Sequence, residues 1–259
     1  AICACAALAY AEMATMMPAS GSAYTYSYAV LGEIVAWVVG WSLILEYSLV
    51  VSTVAVGWSG YAAPLLHAWT GMPMELMAGP HAKGIVNLPA IFIIAVVAGL
   101  LCFGTKESAT LNAALVVVKI IALAVFVAVA LPYFNGANLE PFAPFGFAKT
   151  LSADGVERGV MAAAAIIFFA FYGFDAISTA AEETKNPGRD LAIGIVGSMI
   201  ACIAIYMLVA VAAVGATPFT HFANSPEPLA LILRDLGRPG FATFLAVSAV
   251  IALPTVLLG

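Results

Sequence analysis

The chain has 259 residues, of which 64% are hydrophobic and 9% charged, with 9 basic and 14 acidic side chains and a net charge of −5. A soluble domain is about 45–50% apolar and about 25% charged, so this composition excludes a soluble globular fold and a disordered chain. Nucleic-acid binding is excluded as well, because no basic stripe is present to neutralise phosphates. The composition is typical of a polytopic membrane protein.

Apolar stretches that are long enough, or nearly so, to cross the hydrocarbon layer recur along the chain, since a spanning helix needs about 20 residues. They lie near 1–17, 33–58, 87–104, 109–131, 159–181, 191–215 and 241–259. Segment 226–236 is predicted to be a short helix in a loop, because Ser225-Pro226 is a helix start signal and Gly237 a stop signal. The predicted fold class is therefore an all-α polytopic membrane protein.

The loops between these stretches alternate in length. The short ones are 18–32, 105–108 and 182–190, and the long ones are 59–86, 132–158 and 216–240. Per residue the short loops are the more basic, so the positive-inside rule places them in the cytoplasm. The chain begins and stops inside apolar runs, without a signal-peptide pattern. We therefore expect an internal fragment of a longer protein.

Four charged residues lie well inside apolar runs, where a charge costs about 2.5–3.5 kcal/mol on insertion scales. They are Glu12, Glu46, Lys119 and Asp175. Glu12 lies near the end of its run and is interpreted as structural. No group of cysteines or histidines has metal-ligand spacing, so no metal site is expected.

Lys119 lies in mid-span, in the run VVVKII, and Asn112 precedes it by seven residues on the same helical face. This stripe is predicted to face the helix bundle or a cavity. An amine in apolar surroundings can exchange a proton under physiological conditions. Lys119 is therefore a candidate for proton exchange or, alternatively, a structural residue that donates to backbone carbonyls.

For two of the acidic residues, the neighbouring sequence indicates a local structure. Glu46 shares a helical face with Ser42 and Thr53, and this polar stripe could line a cavity or bond to a neighbouring helix. Asp175 follows Gly173 in a run of bulky aromatics, which indicates a helix break facing a binding cavity. A glycine that serves only helix packing is the alternative at that position.

At these residues the chain resembles the amino acid–polyamine–organocation superfamily of permeases, in its cationic amino acid transporter branch. The second helix and the loop after it, the third helix, and the sixth helix with its loop are matched by 9–14 (AYAEMA), 18–28 (PASGSAYTYSY), 40–47 (GWSLILEY) and 173–187 (GFDAISTAAEETKNP). The resemblance covers essentially the whole chain.

The resemblance implies a partial five-plus-five inverted-repeat transporter fold containing the second to eighth helices. Residues 1–131 would be the remainder of the first repeat, 132–158 an external loop, and 159–259 the beginning of the second repeat. The family's first helix, whose backbone amides receive the substrate carboxylate, has no counterpart in the sequence, nor have the ninth and later helices. Function is therefore expected of the intact parent.

The resemblance also implies a substrate site, because the matching sixth-helix stretch is unwound and its backbone holds the α-amino group of the substrate. The carbonyls of Phe169 and Tyr172 would bind this ammonium, and Ala170 and Gly173 would line the site. A helix C-terminus carries partial negative charge, which suits an ammonium.

Three ionisable residues match positions near that site. Lys119 takes the place of a sodium ion in sodium-coupled relatives and is the family's candidate for proton coupling. Glu46 and Asp175 match acidic positions. We assign Glu46 to substrate binding, and Asp175 together with Lys119 to proton coupling.

The predicted function is secondary active transport of amino acids by alternating access in the plasma (cell inner) membrane, with the proton as coupling ion and no other cofactor. The expected partners are a small-molecule amino acid and membrane lipid, without nucleic acid or an obligatory protein partner. An amino-acid sensor that retains the fold and a polyamine permease are alternatives. An enzyme is not expected, because no catalytic dyad, metal-ligand set or cofactor motif is present.

Overall fold

The computed structural model describes residues 2–82, 84–103, 108–152, 155–171, 173 and 175–258. Its α-helices are α1 (Ile2–Met16), α2 (Ser22–Leu31), α3 (Glu33–Thr70), α4 (Leu88–Phe103), α5 (Ser108–Ala130), α6 (Val160–Ala170), α7 (Ala176–Thr179), α8 (Pro187–Ala216), α9 (Phe219–Phe222), α10 (Pro228–Asp235), α11 (Pro239–Ala252) and α12 (Thr255–Leu258). Short 3-10 segments occur at Met74–Leu76, Pro80–Ala82, Leu131–Tyr133, Gly136–Leu139 and Ala180–Glu183. Strands β1 (Thr150–Leu151) and β2 (Glu157–Arg158) pair as an antiparallel hairpin. The predicted all-α class is confirmed.

Several helices are apolar enough to lie in a bilayer, where every backbone polar group must be paired within the protein. Within the described residues, four segments have the length and composition of a membrane span: Glu33–Thr70, Asn112–Tyr133, Pro187–Ala216 and Pro239–Leu257. Shorter apolar helices occupy Cys3–Met16 and Leu88–Cys102. These segments correspond to six of the predicted apolar stretches.

The segment 18–32, expected to be a loop, contains helix α2, so that prediction is wrong. Tyr26 is buried in α2 and its ring meets that of Tyr10 edge-on, with centroids 6.3 Å apart. Tyr24 and Tyr28 stack on each other one turn apart, with centroids at 6.4 Å. A helical turn therefore buries one tyrosine and lets its two neighbours pack together on the exposed side.

The predicted end of α3 at residue 58 is also wrong, because the helix continues to Thr70. It does so although Pro64 lies inside it. Trp58 and Ala62, one turn apart, are buried on one face against Ala90 of α4. The Trp58 indole also donates to the carbonyl oxygen of Val250 in α11, at 2.8 Å. Packing of this face keeps the chain helical beyond the predicted end.

The chain is grouped into two compact units by its internal contacts. The first comprises residues up to Leu45 together with Leu139–Leu208, and the second comprises Glu46–Asn138 together with residues from Val209 onward. The division into inverted repeats at residues 131 and 159 stays a prediction.

The core of the first unit is built on small residues of α1. Ala7, Ala11 and Ala14 form a buried stripe on this helix and pack with Leu191 and Ile195 of α8. Small side chains let two membrane helices approach closely, which replaces the hydrophobic driving force that is missing in lipid.

The core of the second unit lies where α5, α10 and α11 meet. Phe126 of α5 is fully buried with Ile232 and Leu233 of α10 and Ala246 of α11. Helix α10 confirms the short loop helix predicted at 226–236, although it begins at Pro228. This helix buries one apolar face, and an ion pair between Glu227 and Arg234 links its start to its last turn.

Candidate functional site

The apolar stretch 159–181 is interrupted in the structure, as the sequence predicts. Helix α6 ends at Ala170 and α7 begins at Ala176. Gly173, between them, has φ of +110°, a backbone conformation that side chains with a Cβ rarely adopt. Among the described residues, nothing lies within 4 Å of the position that a Cβ would occupy there, so the backbone angle rather than the available space requires glycine.

The end of α6 is capped by a residue that the sequence analysis missed. The Tyr206 hydroxyl of α8 donates to the carbonyl oxygen of Ala170 at 3.1 Å, and its ring packs against Phe171 with centroids 5.2 Å apart. The Phe171 amide closes the last turn on the Phe168 carbonyl at 3.1 Å. A lone tyrosine inside the apolar run of α8 was the available signal, since a phenolic hydroxyl within an apolar helix usually finds a polar partner.

A buried group of polar side chains surrounds the start of α7. The Ser178 hydroxyl donates to the carbonyl oxygen of Asp175 at 2.6 Å, and its Oγ lies 2.9 Å from Oγ of Ser22. Asp175 is 4% exposed. Ser22 has φ of +48°, so this serine is held in a strained conformation at the start of α2. These contacts attach α7 to α2.

Tyr26 lies beside the same polar group, in a helix outside the candidate membrane spans. Burial raises the pKa of its phenol, and the nearby Ser178 side chain acts in the opposite direction. The phenol therefore stays protonated and neutral at physiological pH.

The far end of this half-helix is also attached to the segment before α2. The backbone N–H and the hydroxyl of Ser20 both donate to Oε1 of Glu182, at 3.4 and 3.0 Å. Segment 20–26 thus holds α7 and the 3-10 turn after it at both ends.

Lys119 lies in the second unit and faces the protein interior, as the polar stripe predicts. Its Nζ donates to Oγ1 of Thr255, whose hydroxyl donates in turn to the carbonyl oxygen of Ala252 at 2.8 Å. Lys119 also lines a cavity of about 210 Å³, together with Tyr61 and Ser248. Thr255 was not predicted as a partner of Lys119. The available signal was the pair Pro254-Thr255, which lies at the junction of α11 and α12.

Glu46 is half-buried on α3, at the first residue of the second unit. The hydroxyls of Ser42 and Thr53, expected to share its stripe, donate to carbonyl oxygens of their own helix at Val38 and Leu49, at 2.9 and 2.8 Å. These hydroxyls therefore satisfy local backbone oxygens, a common use of serine and threonine inside membrane helices.

The predicted site residues divide between the two units. Phe169 and Ala170 lie in the last turn of α6 and Gly173 in the interruption, and Asp175 precedes α7. Tyr172 lies outside the described residues. Glu46 and Lys119 belong to the other unit. The binding and coupling roles of all these residues stay predictions.

A metal site was not predicted, and the described residues contain no group of three histidine, cysteine, aspartate or glutamate side chains placed to share an ion. The polar groups that the structure brings together are hydroxyls, backbone carbonyls and single charged side chains. Such groups can bind a small polar molecule or exchange a proton.

Comparison with known sequences decides the family. The profile of the amino acid permease family matches residues 1–259. The chain belongs to the amino acid permease family. The predicted resemblance is thus confirmed, and with it an integral membrane protein of a transporter family rather than an enzyme.

Individual permeases and transporters are similar over nearly the whole chain. It is 44% identical to the branched-chain amino acid permease BcaP of Bacillus subtilis (strain 168), over 99% of the chain and 54% of that protein. It is 38% identical to the methylthioribose transporter of the same organism, over 99% of the chain and 54% of that protein. Identity to the vacuolar cationic amino acid transporter 4 of Arabidopsis thaliana is 36%, over 98% of the chain and 42% of that protein. The chain spans about half the length of the curated relatives it matches.

Proposed function

We propose that a full-length protein carrying this chain performs secondary active transport of amino acids across the plasma membrane by alternating access, with the proton as coupling ion. The observation that carries this proposal is the interruption of the apolar stretch 159–181 at Gly173. In lipid, backbone groups released from a helix are tolerated only where they are buried in protein or face a cavity. A permease uses such groups to hold a polar substrate.

The ammonium of the substrate fits the end of α6. The last carbonyls of a helix have no partner within the helix and carry partial negative charge. In this proposal the carbonyls of Phe169 and Tyr172 accept the ammonium hydrogens, while Ala170 and Gly173 line the site. The Tyr206 hydroxyl supports this arrangement because it already holds the Ala170 carbonyl in a fixed direction.

Coupling to protons is assigned to Lys119, with Asp175 as a second ionisable group. The protonated amine of Lys119 is attracted to the Thr255 oxygen, and loss of the proton weakens this ion–dipole contact. Protonation can thereby change how firmly α5 is held to the start of α12. Asp175 lies on the half-helix next to the proposed substrate site, so its carboxyl is placed to respond to an ammonium.

The substrate class is proposed from the relatives. The most similar of the three compared above is named a branched-chain amino acid permease, so leucine, isoleucine and valine are the first substrates to test. A second relative is named a methylthioribose transporter, so methylthioribose belongs in the same panel. Cationic amino acids are included because a third relative is named a vacuolar cationic amino acid transporter. A polyamine completes the panel.

The test is counterflow with the purified full-length protein in liposomes preloaded with unlabelled leucine. External labelled leucine should enter, and unlabelled branched-chain amino acids should compete better than arginine, putrescine or methylthioribose. Because counterflow needs no proton gradient, this assay tests the substrate separately from the coupling ion. Binding of leucine without any counterflow would favour a sensor, and absence of both would contradict the proposal.

A further inference from the structure

A cleft lies between the end of α5 and the start of α11 and does not belong to the proposed transport site. We propose that this cleft binds one anionic glycerophospholipid, with the phosphate on the Arg238 guanidinium and an acyl chain along the apolar wall. We call it the Arg238 cleft, and it is lined by Val125, Tyr133, Arg238, Phe241 and Phe244. The inference is independent of the transport proposal.

The cleft has room for a ligand. Two open cavities of about 590 and 370 Å³ share Arg238 and Phe241 as lining residues. Small-molecule sites typically measure about 300–1,000 Å³, and their walls are mainly apolar with a few polar groups. The walls are apolar on the side of Val125, Phe241 and Phe244 and polar only near Arg238 and Tyr133, which matches a lipid with one charged end.

The charge of the cleft is positive. Arg238 is exposed, and its Nε and Nη2 donate to the Tyr133 hydroxyl at 3.4 and 3.2 Å. A guanidinium carries five N–H donors in a planar fork, so this contact orients the fork and leaves other donors for a phosphate. Among the described residues that line the two cavities there is no carboxylate to compete with an anion.

The cleft lies at the depth where lipid phosphates lie. One candidate span ends at Tyr133 and another begins at Pro239, immediately after Arg238. Because Arg238 contacts Tyr133, both residues mark the same membrane surface. Phe241 and Phe244 follow within the first turns of α11, so the apolar wall extends from the headgroup level into the hydrocarbon layer.

The test is native mass spectrometry of the detergent-purified full-length protein, with phosphatidylglycerol or phosphatidylcholine of the same acyl chains. Wild type should retain one phosphatidylglycerol and little phosphatidylcholine. Arg238→Gln should weaken phosphatidylglycerol retention at least about ten-fold, as expected for loss of a charge-assisted contact. Val125→Trp, which keeps the charge and fills the cleft, should weaken it as well.

Arg189→Gln is the matched control, because Arg189 is an exposed arginine near the start of another membrane helix, α8. This variant should retain lipid as wild type does, and excess glycerol 3-phosphate should not displace the lipid. Three results would overturn the proposal: unchanged retention in both Arg238→Gln and Val125→Trp, an equal loss in Arg189→Gln, or displacement by glycerol 3-phosphate alone. Failure of wild type to retain any lipid, as expected if another segment covers the cleft, would overturn it too.

Discussion

Lys119 shows how one charged side chain is accommodated inside an apolar helix. A lysine at the bilayer centre costs about 2.5–3.5 kcal/mol on insertion scales unless it finds a partner. Thr255 supplies one, since its oxygen accepts from the amine while its hydrogen is donated to the Ala252 carbonyl. The protonated amine of Lys119, the Thr255 hydroxyl and the Ala252 carbonyl are thus linked in one series of hydrogen bonds.

Replacing Lys119 by alanine should separate coupling from binding. We expect Lys119→Ala to abolish proton-driven accumulation of substrate in liposomes, because no group at this position can then exchange a proton. Counterflow should survive in part, since Lys119 is not among the residues assigned to substrate binding. Thr255→Val, which removes the hydroxyl that accepts from Lys119 but keeps the lysine, should weaken accumulation without abolishing it. Wild-type accumulation by Lys119→Ala under a pH gradient would contradict the assignment.

Tyr206 gives a residue-scale prediction about stability. Tyr206→Phe keeps the ring contact with Phe171 and removes the donor to the Ala170 carbonyl. Loss of one intramolecular hydrogen bond costs about 0.5–1.5 kcal/mol, so the thermal unfolding temperature of the detergent-purified protein should fall. Tyr28→Phe, at an exposed position of α2, is the control and should leave it unchanged. Equal unfolding temperatures for all three proteins would show that the hydrogen bond contributes nothing.

At the scale of elements, the interruption between α6 and α7 depends on the backbone angle of Gly173. A residue with a Cβ at positive φ costs about 1–2 kcal/mol, and a β-branched side chain fits such an angle least well. Gly173→Val should therefore move the backbone out of the binding geometry and reduce uptake to background, although the protein still inserts into the membrane. Gly197→Val, within α8 and with nothing near its Cβ position, should leave uptake close to wild type. Near-normal uptake by Gly173→Val would mean that this stretch does not hold the substrate.

The packing of α3 against the start of α10 gives a second element-scale prediction. A Cβ at Gly60 would lie 2.8 Å from the carbonyl oxygen of Pro226, whereas one at Gly57, in the same helix, meets nothing within 4 Å. Gly60→Ala should destabilise the protein by about 1–3 kcal/mol, the usual cost of overpacking. Gly57→Ala should be neutral or stabilising by about 0.5–1 kcal/mol. Thermal unfolding of both variants checks this, and equal shifts would contradict the close approach.

The positions of apolar helices were readable from the sequence because membrane helices need long apolar runs, and the break at Gly173 was readable because a glycine and a carboxylate interrupt an aromatic run. Two features were not readable. Helix α2 depends on the burial of Tyr26 against a distant helix, and the extension of α3 depends on the packing of Trp58. Neither contact has a local signal in the sequence.

The candidate site, like the fold, was predicted only in part. Positions that stand out by charge or by glycine were found, namely Lys119, Asp175 and Gly173. Three hydroxyl residues that contact Lys119, the Asp175 carbonyl or the Ala170 carbonyl were missed, namely Thr255, Ser22 and Tyr206. Hydroxyl residues are common in membrane helices and become informative only when the fold places them beside a charge or a released carbonyl.

At the scale of the whole molecule, the proposed function couples amino acid entry to proton entry. The most direct test is simultaneous measurement of both fluxes with the full-length protein in liposomes that contain a pH-sensitive dye, at equal external and internal sodium. Addition of external leucine should acidify the liposome interior while labelled leucine accumulates, and an inside-alkaline pH gradient should increase that accumulation. Leucine accumulation without acidification, or accumulation that depends on a sodium gradient, would contradict proton coupling and the role assigned to Lys119.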